Sequence, residues 1–418
     1  MQIIMGLIGI VSLILIAVAF SSNRKAINFR TIGGAFLIQA AIPAFVIFTD
    51  SGASILGGLS SGVQAVIDSA NAGIGFLFGG LVSGKMFEVF GGGGFVFAFR
   101  VLPIIIFFAS LMAVLYYLGV MQFIIKIFGG GLQKLLGTSR TESMSAAANV
   151  FVGQTEAPLV VKPYLAKMTR SELFAVMAGG LASVAGAVLA GYASLGVSLE
   201  YLIAASFMAA PGGLLMAKLL EPETGTPIDQ LSDEEIDEDE HKPVNVVDAA
   251  ASGAADGLQL AMNVGGMLIA FIALIALVNT ILGAAGGVFG FEALTLQLIL
   301  GYLFAPIAFL IGVPWSEAIQ VGSLLGQKLV VNEFVAYIDF VSIKDTLSEN
   351  SQVIVTVALC GFANLSSIAI LLGGLGVLAP SRRHEIASMG FKAVMAGTLS
   401  NFMSATLMGI FFALSVAV

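Results

Sequence analysis

Two carboxylates stand where almost everything around them is apolar. Glu156 lies in GQTEAPLVVKPYL (Gly153–Leu165) and Glu333 in VVNEFVAY (Val330–Tyr337). A carboxylate at membrane depth costs several kcal/mol unless it is paired or wet, so each marks a candidate site. Polar side chains cluster in four places along the chain, at 149–156, 183, 332–333 and 364–367. Glu and Asn exchange hydrogen bonds with neighbouring hydroxyls such as those of a sugar. Gln154 and Thr155 present the mixed donors and acceptors that suit an amide-like edge, and Phe362 adds an apolar face. Apart from nearby Lys328, and Lys162 on the first segment, no cation accompanies these residues, which disfavours a phosphate or carboxylate ligand. The ligand they imply is neutral, polar and rich in hydroxyls.

A second chemistry is open to part of the set. Unwound backbone carbonyls with one or two side-chain oxygens make sodium sites in transporters, and Asn149, Val152 and Ser183 could supply them. The competing explanation is a buried Ser bonded to its own helix. Enzymatic constellations are missing. His241 and His384 lack metal-ligand spacing, and no phosphate-cradling GxxxxGK[ST] run occurs. The lone Cys360 sits in an apolar run and reads as a packing residue, while Trp315 and the tyrosines read as interface or packing aromatics.

The elements that must carry these residues follow from composition. The 418 residues are 58% hydrophobic and 11% charged, far from the quarter charged of soluble domains. With a mean hydropathy of +1.00, most of the surface must face lipid, so the chain is an all-α polytopic membrane protein. A net charge of -8 argues against nucleic-acid binding. Much of it falls in SDEEIDEDE (Ser232–Glu240), which lacks the Gly turn and alternating ligands of a calcium loop and reads as a solvated connection.

Spanning segments are expected at 2–20, 31–49, 95–119, 171–192, 198–219, 256–283, 350–376 and 388–416. The first is a retained span rather than a signal peptide, because Arg24, Lys25 and Arg30 follow it and no cation precedes it. With the N-terminus outside, eight spans return the C-terminus outside. Most Lys and Arg then fall on cytoplasmic connections, leaving Lys85, Arg100 and Lys344 outside. Segments at 54–90, 121–136 and 291–313 are apolar but too short or too interrupted, and suit interfacial helices, with the glycines at 91–94 as a turn.

The segments 143–164 and 315–341 are amphiphilic, each with a carboxylate in its middle and a span after it. Irregular backbone survives at membrane depth only against protein or a wet cavity, so both are expected to be re-entrant hairpins. Gly180-Leu181-Ala182-Ser183 matches Gly361-Phe362-Ala363-Asn364 in the spans that follow them. Two hairpin-plus-span units entering from opposite sides form an inverted repeat, with substrate held at the midplane between them.

GQTEAP (Gly153–Pro158), NEFVAY (Asn332–Tyr337) and GFANLSSI (Gly361–Ile368), in this order, resemble the bacterial branch of the concentrative nucleoside transporter family. The resemblance extends over essentially the whole chain. It implies that Gln154, Thr155, Glu156 and Val188 contact the nucleobase, and that Glu333, Phe362, Asn364 and Ser367 hold the ribose. It further implies a sodium site of Asn149, Val152, Ser183 and Val184, a homotrimer in the bacterial inner membrane, and an elevator in which a transport domain moves against a scaffold.

Under that plan residues 1–136 form scaffold helices and interfacial segments. Residues 137–197 carry the first hairpin and fourth span, and 198–220 the fifth span. The acidic cytoplasmic loop is 221–243, and 244–313 returns to the scaffold with the sixth span. The second hairpin and seventh span occupy 314–380, and the eighth span 381–418. The expected activity is sodium-coupled import of nucleosides such as uridine. Proton coupling remains open, as does a passive channel or facilitator for neutral solutes. A free nucleobase as substrate is disfavoured, because it would leave Glu333, Asn364 and Ser367 unpaired.

Overall fold

In lipid the backbone must satisfy its own hydrogen bonds, and this chain does so with helices. A computed structural model describes residues 2–90, 94–227, 243–291 and 293–417, and no strand occurs among them. The run Ser232–Glu240 and His241 lie outside the described residues, as do three of the four glycines at 91–94.

The helices in chain order are α1 (Gln2–Ala19), α2 (Phe29–Phe48), α3 (Asp50–Phe78), α4 (Lys85–Phe90), α5 (Phe97–Arg100), α6 (Leu102–Tyr117), α7 (Val120–Leu136) and α8 (Arg140–Ala148). After a short 3₁₀ segment, Ala157–Tyr164, come α9 (Arg170–Ala182), α10 (Gly186–Ser194), α11 (Leu199–Leu220), α12 (Val246–Val288) and α13 (Leu296–Leu310). The last five are α14 (Trp315–Val330), α15 (Glu333–Ile343), α16 (Glu349–Leu359), α17 (Ser367–Leu378) and α18 (Arg383–Ala417).

Eight stretches among the described residues are long and apolar enough to cross a membrane, the number expected, but the set differs in two places. Asp50–Phe90 qualifies, because α3 runs unbroken for 29 residues behind a Thr49 cap whose hydroxyl accepts from the Gly52 amide. Its isolated glycines each cost only about 1 kcal/mol of helix propensity, too little to interrupt it. The expected span 350–376 is instead two helices, α16 and α17, parted at Cys360–Ser366. The expected span 171–192 is likewise parted, at Ser183–Ala185 between α9 and α10. The first break begins at the last residue of one matched tetrapeptide, Ser183, and the second contains the whole of the other, Gly361–Asn364. The segment expected to be interfacial at 291–313 forms α13, which turns through 116° into α14 and packs along it.

Both polar-tipped segments fold as hairpins. In the first, α8 stops at Ala148, residues 149–156 leave the helical path, and the 3₁₀ segment returns. Pro158 sits in the first turn of that return and Pro163 inside it, with a kink at Val161 (φ -120°, ψ 16°). Neither proline can donate a backbone bond, and Pro163 inside the segment removes one that a continuing α-helix would use. In the second, α14 ends at Val330 and α15 starts at Glu333, where the Asn332 side chain accepts from the Val335 amide at 3.0 Å as an N-cap.

The broken helices and hairpins form the interior. The most apolar windows of Arg170–Ser194 and Leu199–Leu220 are each 94% buried, against 11% for Val246–Val288. Helix α12, packed on α6, is therefore peripheral within the single chain. At one end of the molecule the chain ties its elements with charge. Lys218 pairs with Glu142 and donates to the Ser171 hydroxyl at 2.8 Å, while Glu221 accepts from Arg170 at 3.0 Å and Lys392 at 2.8 Å. Arg382 reaches the Met168 carbonyl there at 2.7 Å, so α8, α9, α11 and α18 are pinned together. The fold is a polytopic helical membrane protein with two re-entrant hairpins in inverted repeats, the architecture of an elevator.

Candidate functional site

The two hairpin tips meet the two helix breaks, and a cavity of about 400 Å³ lies between them. That falls within the ~300–1,000 Å³ typical of small-molecule sites. Gln154, Thr155 and Glu156 reach it from the first tip, Asn332 and Glu333 from the second. Phe362, Asn364 and Ser367 line it from the α16–α17 break, and Val188 from α10. All eight residues read from the sequence as base or ribose contacts are therefore in one place. Only Phe362, Thr155 and Glu156 among them retain substantial exposure, so the cavity wall is otherwise fixed by packing.

The carboxylate of Glu333 is held from two sides. Tyr192 donates its hydroxyl to Oε1 at 3.0 Å, and Asn364 donates Nδ2 to Oε2 at 3.0 Å. Asn364 Oδ1 in turn accepts from the Ser367 amide at 2.9 Å, the Ser367 hydroxyl at 3.0 Å and the Ser366 hydroxyl at 2.7 Å. The break thus organises itself around one amide side chain. Gln154 Nε2 donates to Ser367 Oγ at 3.4 Å, joining the first hairpin to this group, while Gln154 Oε1 is buried without a partner. Glu156 Oε2 accepts from the Gly153 amide at 3.2 Å, and the residue lines the cavity. The first tip also needs Gly180, because a Cβ there would come within 2.9 Å of Gln154 Cβ.

Tyr192 adds a polar role to the sequence reading of the tyrosines as interface or packing aromatics. It is fully buried, edge-on to Phe334 and tilted against Tyr337 with ring centroids at 4.7 and 4.5 Å, and its hydroxyl donates to Glu333. Cys360 is buried, as a packing residue should be, and closes the end of α16, where its carbonyl accepts from Asn401 at 3.1 Å.

The four residues read as sodium ligands lie around the first tip and the α9–α10 break. Asn149 caps the end of α8 and Ser183 the end of α9; both are buried. Val152 and Val184 stand in the two unwound stretches. The amide of Gly186 donates to the Phe151 carbonyl at 3.0 Å, which holds the two stretches side by side. Asn149 Oδ1 and Nδ2 have no hydrogen-bond partner although the residue is buried. A buried amide in that condition costs about 1–3 kcal/mol and fits a role toward something the chain does not itself supply. No group of three His, Cys, Asp or Glu side chains among the described residues could hold a metal ion.

Sequence reasoning missed the fourth wall. Asp256, Gln259 and Asn263 of α12 line the same cavity, and Gln259 donates to Asn263 at 3.0 Å. Their spacing of three and four residues is the only signal they give, and it emerges only once α12 is known to face the site. Glu156 and Asp256 also border a neighbouring cavity of about 560 Å³, which Tyr116, Gln122 and Val152 help to line.

Three family models match the chain in sequence: "Na+ dependent nucleoside transporter N-terminus" over residues 8–81, "Nucleoside recognition" over 98–199, and "Na+ dependent nucleoside transporter C-terminus" over 201–409. Among similar proteins, Nucleoside permease NupC of Helicobacter pylori is 53% identical, covering 98% of each chain. Sodium/nucleoside cotransporter 1 of Mus musculus is 38% identical over 97% of this chain and 63% of its own. The solved structure of CNTnw in an inward-facing substrate-bound state is 61% identical and superposes with a TM-score of 0.95, covering 99% of both chains. A doubly substituted form of the same transporter in an outward-facing state gives 0.97 at the same identity and coverage.

Proposed function

The chain belongs to the Na+ dependent nucleoside transporter family, and from that premise we propose that it is a sodium-coupled symporter importing nucleosides such as uridine. In this reading Glu333, held by Asn364 and Tyr192, accepts from the ribose hydroxyls, with Ser367 beside them and Phe362 packed against the sugar. Gln154, Thr155 and Glu156 meet the polar edge of the base, and Val188 its face. Asn149 and Ser183, with the carbonyls of Val152 and Val184, hold the sodium ion. The observation that carries the coupling is Asn149, buried with both polar atoms unpartnered at the tip that also presents Gln154 to the cavity.

Sodium orders the unwound first tip, so the nucleoside meets less ordering cost, and by reciprocity the nucleoside raises sodium affinity. The hairpin units 137–197 and 314–380 form the moving transport domain, while 1–136 and 244–313 contribute the scaffold. The protein assembles as a homotrimer in the bacterial inner membrane with both termini outside. The end carrying Arg24, Arg170, Lys218 and Arg382 then faces the cytoplasm, in keeping with the excess of cations there.

Uptake of labelled uridine into proteoliposomes tests this reading under three conditions: an inward sodium gradient, a proton gradient alone, and no gradient. Accumulation above equilibrium with sodium alone is the expected result. Accumulation with protons alone would keep the nucleoside site and remove the sodium site. Non-saturating flux independent of either ion would mean a passive pathway.

A further inference from the structure

One buried side chain of α18 touches both helix breaks. Asn401, 2% exposed, donates Nδ2 to the Ala182 carbonyl at 2.6 Å and to the Cys360 carbonyl at 3.1 Å. Its Oδ1 accepts from Lys328 Nζ at 2.7 Å, and the same amine donates to the Ala358 carbonyl at 2.7 Å. Ala182 is the last residue of α9 and directly precedes Ser183, while Ala358 and Cys360 flank Leu359, the last residue of α16. Carbonyls at a helix end have no intrahelical partner and need one from elsewhere. Here two side chains answer that need for both broken helices at once.

We propose that the Lys328–Asn401 pair is a positioning node that couples the sodium end of the site to its ribose end. The proposal rests on the sodium reading above and assigns a role to two residues outside the ligand sets. On one side of the node, Asn401 grips the backbone one residue from Ser183. On the other, Lys328 sits in the last turn of α14, the leg that delivers Glu333 to the cavity. Two backbone bonds close the circuit: the Phe362 amide donates to the Ser183 carbonyl at 3.1 Å, and the Leu365 amide donates to the Leu329 carbonyl at 3.0 Å.

The node has no slack. A Cβ on Gly361 would lie 2.3 Å from Asn401 Oδ1 and 2.5 Å from its Nδ2, so the amide presses directly on the second break. A shift of the Ser183 backbone must therefore move Asn401, and Asn401 cannot move without displacing Lys328 or Gly361. Ordering of Ser183 by a cation is thereby felt at α14 and at Glu333. This is a contiguous chain of packed and bonded groups, and its function is measured as a coupling free energy rather than as stability.

The test uses the full-length protein in nanodiscs and reads the uridine dissociation constant without sodium and at saturating sodium. The unaltered protein should show a ratio of about tenfold or more. Asn401→Ser and Lys328→Met should bring that ratio to within about twofold of one, with the sodium-free constant little changed, and the double variant should lose no more than either single one. A ratio preserved in folded variants, or a loss of uridine affinity equal with and without sodium, overturns the node and leaves the sodium reading standing. A ratio of one in the unaltered protein overturns the sodium reading and the node with it. Hydrogen–deuterium exchange on the unaltered protein decides the matter even if the variants do not fold. Sodium alone should slow exchange at 328–334 as well as at 149–153, and protection confined to the first hairpin would overturn the proposal.

Discussion

Asn364 donates to Glu333 at 3.0 Å, so the residue read as a ribose acceptor is aimed by a side chain from the broken helix that follows its own hairpin. The arrangement predicts unequal effects for two substitutions. Glu333→Ala removes the carboxylate and strands Asn364 and Tyr192, and uridine uptake should be abolished. Asn364→Asp keeps the size but sets two carboxylates against each other, and uridine affinity measured by calorimetry should fall by about a hundredfold or more. Normal uptake by Glu333→Ala would remove this residue from the site.

Tyr192 supplies the other bond to Glu333 and makes no contact with the cavity itself. Tyr192→Phe keeps the packing against Phe334 and Tyr337 and deletes one hydrogen bond to a charged group, worth about 1.5–3 kcal/mol. Uridine affinity should weaken by about tenfold or more, alongside the modest fall in melting temperature that loss of the bond itself brings. Equal affinity in a calorimetric titration would show that Asn364 alone positions the carboxylate.

The hairpins, their carboxylates and the count of eight spans were legible because polar residues in an apolar chain announce themselves by cost. Gln154, Glu156, Glu333 and Asn364 are all of this kind. The two broken helices were half visible. The matched tetrapeptides at 180–183 and 361–364 registered the repeat, but hydropathy alone ran both spans straight through, since Ala, Val and Leu continue on either side of each break. Tyr192, Asn401, Gln259 and Asn263 were not legible. The meaning of each depends on which helix packs opposite, a fact no local spacing encodes. The continuity of α3 was misjudged for the converse reason, because its glycines weaken a helix without ending it.

The tip that presents Gln154 also carries Asn149, whose unpartnered amide is buried beside the α9–α10 break. Asn149→Ala and Ser183→Ala each remove an oxygen from the proposed sodium site without touching the nucleoside cavity. The sodium concentration for half-maximal uridine uptake should rise by about tenfold or more in each, corresponding to ~1.4 kcal/mol. At saturating sodium the uptake rate should recover. A sodium dependence unchanged in both variants would move the ion elsewhere.

Glu221, just beyond α11, titrates against a different background. Burial raises its pKa, but hydrogen bonds and attraction from Lys392 and then Arg170 outweigh that and hold it below the ordinary carboxylate value. A group whose pKa is lower in the folded state contributes stability that is fully present above the unfolded value of about 4.3. That contribution is lost as the pH falls through the folded value. Thermal melts of the detergent-solubilised protein should therefore drop on acidification below about pH 4.5, and Glu221→Gln should be less stable at pH 7 while showing a shallower acid limb. Arg170 is half exposed, so part of the effect should also disappear in about 1 M salt. Parallel acid limbs in the two proteins would remove Glu221 from the acid sensitivity.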